Sequence, residues 1–211
     1  LGDVYKRQGK TAAFLLPILH SLTVNPSEKI ATLIIVPTRE LAVQIDQQLE
    51  GFSYFTPISA IAVYGGRDGQ SLDLEKKALK GGAPIVVATP GRLIAHIDMG
   101  YVNFDSLRYL VLDEADRMLD MGFIPQVKRI VRATPRKEDR QTLLFSATFT
   151  QDILNLAQQW TFDPVTVEIE PERVATATVD QRVYLVTSHE RLKVLLKVLR
   201  GPDAVSTIVF A

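Results

Sequence analysis

Short runs of mainly apolar residues, each followed by a helical pattern, are the feature that most restricts the fold of this chain. Tyr109–Leu112 is one such run, bounded by charged residues, and similar runs cover residues 31–36, 84–88 and 141–145. Apolar runs of this length are typical of strands buried on both faces of a parallel sheet. The strand–helix alternation therefore predicts an α/β fold with a doubly wound, mostly parallel sheet.

Further elements follow from the same patterns. Ile58–Tyr64 is a predicted strand, and residues 11–22 are a predicted amphipathic helix. The apolar positions of a second helix are expected in the core, namely Leu41, Ile45, Leu49 and Phe52. Beyond the helix that contains Trp160, a predicted core residue, three more strands are expected at residues 164–169, 183–186 and 205–210.

Composition limits the kinds of binding that are available. The chain has 211 residues, with 24 Lys and Arg against 24 Asp and Glu, so its formal charge is zero. Nucleic-acid binding through a broad basic field would require an excess of cations, so any such contact must be local. Disulfides and thiolate metal sites are excluded because there is no cysteine. No apolar run reaches the length of a membrane span, and a soluble cytoplasmic protein is expected.

Three acids follow the Tyr109–Leu112 run within four residues: Asp113, Glu114 and Asp116. Ligands of open α/β sheets bind beyond the carboxyl ends of the strands, which is where these acids stand. One carboxylate there can hold Mg²⁺ beside a nucleotide phosphate, and its neighbour can position and deprotonate a water. By itself the motif fits a polar strand end before a helix equally well, since acids favour the first turn of a helix.

A partial phosphate-binding motif stands near the start of the chain. Gly9-Lys10-Thr11 matches the second half of Gly-x-x-x-x-Gly-Lys-Ser/Thr, but Val4 occupies the position of the first glycine. Glycines allow the unusual backbone angles through which N–H groups reach a phosphate.

Two predicted strand-to-helix junctions have a similar design. Pro37-Thr38-Arg39 and Thr89-Pro90-Gly91-Arg92 each combine a capping hydroxyl with an arginine close to a helix N-terminus, where phosphate binds readily. A glycine pair, Gly65-Gly66, ends another strand. Capping alone, a surface charge and a tight turn are the competing interpretations of these threonines, arginines and glycines.

Together with Ser146-Ala147-Thr148 at the end of a further strand, these motifs occur in a fixed order along the chain. In that order they resemble the first helicase domain of the DEAD-box family of ATP-dependent RNA helicases, with a bacterial-type member the expected source. The resemblance covers the chain from about Gly9 to its end. It implies a RecA-like P-loop helicase domain, the start of a second such domain, and RNA-stimulated ATP hydrolysis coupled to local unwinding of short RNA duplexes.

The resemblance also implies residue roles. ATP is expected at Gly9, Lys10, Thr11, Asp113 and Glu114, with Lys10, Asp113 and Glu114 catalytic and with Thr11 and Asp113 holding Mg²⁺. The RNA backbone is expected at Pro37, Thr38, Arg39, Gly65, Gly66, Thr89, Pro90, Gly91 and Arg92. Coupling of nucleotide state to RNA is expected from Asp116, Ser146, Ala147 and Thr148.

Leu1–Gln8 departs from the family pattern. Arg7 stands where the family's loop carries glycine, and the adenine-recognition segment that precedes this loop in the family is absent from the sequence. The eight residues resemble a translated sequencing adaptor, so we expect a non-native scar over residues 1–8. The expected domains are then 9–170 for ATP binding, 171–182 as a linker and 183–211 as the truncated second domain.

The 211-residue chain by itself is expected to be inactive, because the family's arginine fingers belong to the second domain. Two alternatives remain open at this stage: a non-catalytic nucleic-acid-binding domain and a P-loop DNA helicase. A partner complex acting in RNA decay or ribosome assembly is expected, and no membrane partner is expected. The three histidines lack metal-ligand spacing and are predicted to be structural or exposed.

Overall fold

The structure is a computed structural model that describes residues 9–66, 69–168, 183–201 and 206–209. Within these residues the strands are β1 Thr32–Ile35, β2 Ala60–Val63, β3 Ile85–Ala88, β4 Tyr109–Leu112 and β5 Gln141–Leu144. The helices are α1 Lys10–Val24, α2 Arg39–Ser53, α3 Gly69–Gly81, α4 Pro90–Asp98, α5 Ala115–Asp120, α6 Ile124–Arg132, α7 Gln151–Trp160 and α8 Arg191–Leu199. The predicted 1–8 scar and the 171–182 linker lie outside the described residues.

All five described strands join one parallel sheet in the order β2-β3-β1-β4-β5. The pairing brings the last residues of neighbouring strands level with one another: Val63 with Ala88, Ala88 with Ile35, Ile35 with Leu112, and Leu112 with Leu144. The predicted doubly wound parallel α/β fold is confirmed. All five strands end at one side, which is called the carboxyl end of the sheet below.

The sheet lies between two apolar layers. In β1, Leu33 and Ile35 belong to one layer and Ile34 to the other, as the alternation of side chains along a strand requires. Helices α1 and α2 bury their apolar faces in the layer of Ile34, whereas α3 to α7 contribute to the layer of Leu33 and Ile35. Trp160 is part of this second layer, as the sequence predicted.

Of the two predicted capping hydroxyls, that of Thr38 is present, and Thr150 caps a further helix. Thr38 accepts a hydrogen bond from the Leu41 N–H at 3.3 Å and Thr150 accepts one from the Ile153 N–H at 3.4 Å. Thr89 occupies the N-cap of α4, but its side chain accepts no hydrogen bond from the first turn, so the prediction of a capping hydroxyl there is wrong. Proline at the first helical position presets the helical angle and removes one donor, which lets α4 begin without a side-chain cap.

Phe52 was wrongly predicted to lie in the core. Burial along α2 ends at Leu49, and Phe52 is 41% exposed. Its position in the helical repeat is that of a core residue, but the last turn of α2 extends past the apolar layer.

The prediction of strands at 164–169, 183–186 and 205–210 is also wrong for the residues that the structure describes. Residues 164–168, 183–186 and 206–209 form no strand. Val165 and Leu185 are exposed, at 89% and 98%. Apolar residues favour extended backbone, but only pairing with a neighbour makes a strand.

The chain divides into two compact units, one extending to Val165 and one beginning at Thr166. The first contains the sheet and α1 to α7. The second contains α8, a helix in which no residue is buried. None of the helices within the described ranges is both long enough and apolar enough to cross a bilayer.

Candidate functional site

The carboxyl end of the sheet collects all the strand-end motifs found in the sequence. Because the last strand residues are level, the residues that follow them emerge side by side. Across the sheet their order is Gly65-Gly66 after β2, Thr89-Pro90 after β3, Pro37-Thr38 after β1, Asp113-Glu114 after β4 and Ser146-Ala147 after β5. The three motifs expected to contact nucleic acid are neighbours, and the acidic motif lies between them and Ser146-Ala147-Thr148.

Helix α1 brings Lys10 to the acidic motif. Gly9 precedes this helix in the left-handed region, with φ of 73°, a conformation that glycine adopts without strain. The Phe14 and Phe145 rings hold α1 beside the end of β5, with centroids 5.2 Å apart. The positive charge of Lys10 is near enough to lower the pKa of Asp113.

Asp113 is a buried carboxyl, 6% exposed. Burial raises its pKa from 3.8 to about 6, and the negative charges of Glu114 and Asp116 add to the rise. The Glu114 N–H, which donates to Asp113 Oδ1 at 3.0 Å, and the charge of Lys10 both act in the opposite direction. Such a carboxylate is poorly solvated and gains from a cation that replaces its lost water.

The backbone of Glu114 is strained. Its φ of 53° and ψ of 52° lie in the left-handed region, which a residue with a side chain enters at a cost of about 1–3 kcal/mol. Its carboxylate is partly exposed and receives a hydrogen bond from Arg117 at 3.2 Å. Two adjacent acids therefore have different surroundings, because Asp113 is buried and Glu114 is partly exposed.

Asp116 connects the acidic motif to the end of β5. Its Oδ2 accepts hydrogen bonds from the N–H groups of Ala147 and Thr148 at 3.1 and 3.2 Å, and from the Thr148 hydroxyl at 3.3 Å. The Ser146 hydroxyl donates to the Thr148 carbonyl at 2.8 Å and closes the turn. One carboxylate oxygen therefore fixes the backbone of a loop 31 residues away in sequence.

Arg39 is held over the glycine pair. Its Nη1 donates to the Gly66 carbonyl at 3.3 Å, and its guanidinium lies 5.3 Å from the centre of the Tyr64 ring. Gly66 has φ of 86°, and a Cβ on it would lie 3.0 Å from Arg39 Nη1. The first turn of α2 and the loop after β2 are thus joined through an exposed arginine.

Arg92 is anchored differently. Its Nε donates to Glu75 Oε2 at 2.8 Å, and its side chain is 20% exposed.

Two residues of this region were not predicted from the sequence: Glu75, and Tyr64, which lies against Arg39. Glu75 carried a usable signal, since it stands between Leu72 and Leu79 at the spacing of the apolar face of α3, where an acid needs a partner. His96, predicted to be structural or exposed, is buried.

The described residues contain no group of three or more His, Cys or acidic side chains that could hold a metal ion unaided. Mg²⁺ is usually held by one or two carboxylates together with substrate phosphates and waters. Asp113 offers a buried, poorly solvated carboxylate for such an ion, and Thr11 offers a partly buried hydroxyl in the first turn of α1.

Comparison with known proteins identifies the class. The model of the DEAD/DEAH box helicase family matches residues 8–156, more than half of the chain. The chain therefore belongs to the DEAD/DEAH box helicase family.

Curated relatives match along the whole chain. It is 47% identical over 218 residues to ATP-dependent RNA helicase RhlB of Pseudomonas aeruginosa, and covers 54% of that protein. RhlB of Pseudomonas putida gives the same identity and coverage. ATP-dependent RNA helicase DeaD of Haemophilus influenzae is 39% identical over 213 residues, and the chain covers 34% of it. The chain thus spans about half the length of its RhlB relatives.

Proposed function

We propose that the full-length protein is an ATP-dependent RNA helicase in which this chain supplies the ATP-binding site and one wall of the RNA path. The observation that carries the proposal is the level register of the five strands, which brings the strand-end motifs to one side of the sheet, where the charge of Lys10 lowers the pKa of Asp113. The names of the relatives, all ATP-dependent RNA helicases, support the same assignment.

In the ATP site, the Lys10 ammonium contacts the β- and γ-phosphates, and the Gly9 backbone allows their close approach. Asp113 and the Thr11 hydroxyl would hold Mg²⁺, which supplies positive charge to the phosphate oxygens. Glu114 accepts a hydrogen bond from the attacking water and takes its proton. The different environments of the two adjacent acids suit this division, since Asp113 is buried and Glu114 reaches solvent.

Along the RNA path, the N-termini of α2 and α4 offer backbone N–H groups to phosphate oxygens, with Arg39 and Arg92 beside them. The uncapped first turn of α4 favours this role, because the Thr89 side chain does not compete for its donors. Such contacts recognise the backbone and not the base sequence. Asp116, through its hydrogen bonds to Ala147 and Thr148, passes movements of the ATP site to the neighbouring loop.

The test measures single-stranded RNA binding and phosphate release by the full-length protein, with ATP, a non-hydrolysable analogue, ADP or no nucleotide. We expect the analogue to tighten RNA binding and RNA to stimulate hydrolysis. In the matched variant Glu114→Gln, analogue-dependent RNA binding is retained and hydrolysis falls by at least a hundredfold, about the contribution of a general base.

An RNA affinity that is the same with and without nucleotide would instead identify a non-catalytic binding domain. Equal stimulation of ATP hydrolysis by DNA and RNA would identify a DNA helicase. A role in RNA decay or ribosome assembly remains a prediction. Association of the full-length protein with ribonucleases or with ribosomal precursors, measured by co-purification, tests it.

A further inference from the structure

A buried ionic cluster joins α3 to α4 next to the carboxyl end of the sheet. Glu75, on α3, is 1% exposed. Its Oε2 accepts hydrogen bonds from two residues one turn apart on α4, Arg92 Nε at 2.8 Å and His96 Nε2 at 2.7 Å. The other nitrogen of His96 contacts the Tyr101 hydroxyl. None of these residues except Arg92 belongs to a motif of the proposed ATP or RNA site.

His96 closes one side of the cluster, since its two ring nitrogens contact Glu75 and the Tyr101 hydroxyl. The Tyr101 hydroxyl also donates to Met99 Sδ at 3.8 Å. Burial, followed by the negative charge of Glu75, raises the pKa of Tyr101. The charge of Arg92 compensates the buried Glu75 carboxylate.

The cluster fixes one edge of the Arg92 guanidinium. Arg92 Nε is bound by Glu75 Oε2, whereas Arg92 Nη2 and Glu75 Oε1 are each buried without a partner among the described residues. The Arg92 side chain is 20% exposed, so the guanidinium is not wholly enclosed between the two helices. Its exposed part stands in the first turn of α4, where an anionic oxygen binds readily.

We propose that Glu75 is a positioning residue for RNA binding, which holds the Nε edge of Arg92 so that the exposed part of the guanidinium faces a phosphate of the RNA backbone. The inference rests on the proposed function and adds a residue outside the recognised motifs. It also explains the need for arginine at position 92, since lysine has a single terminal nitrogen and cannot bind Glu75 and a phosphate at two separate edges.

The experiment is a double-mutant cycle on RNA affinity in the full-length protein with a non-hydrolysable ATP analogue. Glu75→Gln keeps the size of the side chain and removes its charge. We expect it to weaken RNA binding by about threefold to tenfold when Arg92 is present, and to have no further effect in the Arg92→Ala background. Equal effects of Glu75→Gln in the two backgrounds, or none in either, would overturn the proposal.

Asp98→Asn is the matched control, because it removes the exposed ion pair of α4 with Arg129, and its RNA affinity should be unchanged. If Glu75→Gln fails to fold, Arg92→Lys provides the test with Glu75 intact. RNA binding should fall in Arg92→Lys although the charge is retained, and wild-type affinity would contradict the proposal.

The two proposals fail in distinguishable ways. Absence of nucleotide-dependent RNA binding in the unsubstituted protein would overturn the helicase assignment. Normal binding in that protein, together with unchanged binding in Glu75→Gln, would overturn only the role of Glu75. The Nε–H signal of Arg92 in NMR spectra reports the contact itself and should exchange faster with water in Glu75→Gln. An equally slow exchange would show that Glu75 does not hold the guanidinium.

Discussion

Lys10 and Asp113, 103 residues apart in the sequence, lie close enough that the lysine charge lowers the pKa of the buried carboxyl. The lysine nevertheless does not offset the cost of burial, because the pKa of Asp113 is still raised to about 6. The protein therefore holds an acid that is unfavourable in the absence of ligands and that a phosphate-bound cation would stabilise. Strained or poorly solvated groups of this kind are typical of functional sites.

Replacement of Asp113 by asparagine should stabilise the unliganded protein above pH 6. The folded protein holds the Asp113 proton more tightly than the unfolded chain, whose carboxyl has the usual pKa near 3.8. Ionisation of Asp113 thus costs the folded state free energy, at most about 3 kcal/mol above pH 6. This cost decreases as the pH falls from 6 and disappears only below the unfolded pKa near 3.8. Urea unfolding should show Asp113→Asn more stable by about 1–3 kcal/mol at pH 8, with a difference about half as large at pH 5.

Asp120 is an exposed acid at the end of α5, so Asp120→Asn serves as the control for Asp113→Asn. It should change stability by less than about 0.5 kcal/mol at both pH values. Loss of stability in Asp113→Asn at pH 8 would show that the buried charge is compensated by contacts within the protein.

Replacement of Asp116 by asparagine should release the loop after β5. Both carboxylate oxygens are used, Oδ2 by Ala147 and Thr148 and Oδ1 by the Arg117 N–H. Asparagine has one oxygen, so one set of donors then faces an NH₂ group and loses its hydrogen bonds. Amide hydrogen exchange of Ala147 and Thr148 should become faster, with core amides of β4 unaffected. Unchanged exchange at both amides would mean that the loop is held by other contacts.

Gly91 and Gly66 should respond differently to alanine. A Cβ at Gly91 meets nothing within 4 Å, so Gly91→Ala should keep its stability within about 0.5 kcal/mol. Gly66 has positive φ and lies against Arg39, so Gly66→Ala should lose about 1 kcal/mol or more. If the RNA backbone approaches both glycines, both variants should bind RNA less well, as titration with labelled RNA would measure. Full RNA affinity in Gly91→Ala would remove Gly91 from the RNA path.

The salt dependence of RNA binding should identify Arg39 as a phosphate contact. Loss of one contact to a single strand lowers the slope of log K against log salt by about 0.7. We expect Arg39→Ala to show this change, and Arg136→Ala to show none, because Arg136 lies in the loop before β5, at the opposite end of the sheet. Identical slopes in Arg39→Ala and the wild type would exclude Arg39 from phosphate binding.

Elements of the fold were predictable where local pattern and tertiary environment agree. The apolar run Tyr109–Leu112 predicts a buried strand, and β4 has the same bounds and lies inside the sheet, between β1 and β5. Val165 and Leu185 lie in similar runs and form no strand, because pairing partners are not encoded locally. Phe52 shows the same limit for a helix, since periodicity defines a face but not the extent of the layer it meets.

By itself the sequence determined the class of fold, the order of the motifs and the kinds of side chain that end each strand, because strand and helix periodicity and strand-end chemistry are local properties. Only the tertiary structure decided which strands are neighbours, the left-handed backbone at Glu114, and the pairing of Glu75 with Arg92. These depend on contacts between residues far apart in the chain. A glutamate on an apolar helix face predicts a buried partner, but the packing of α3 against α4 selects it.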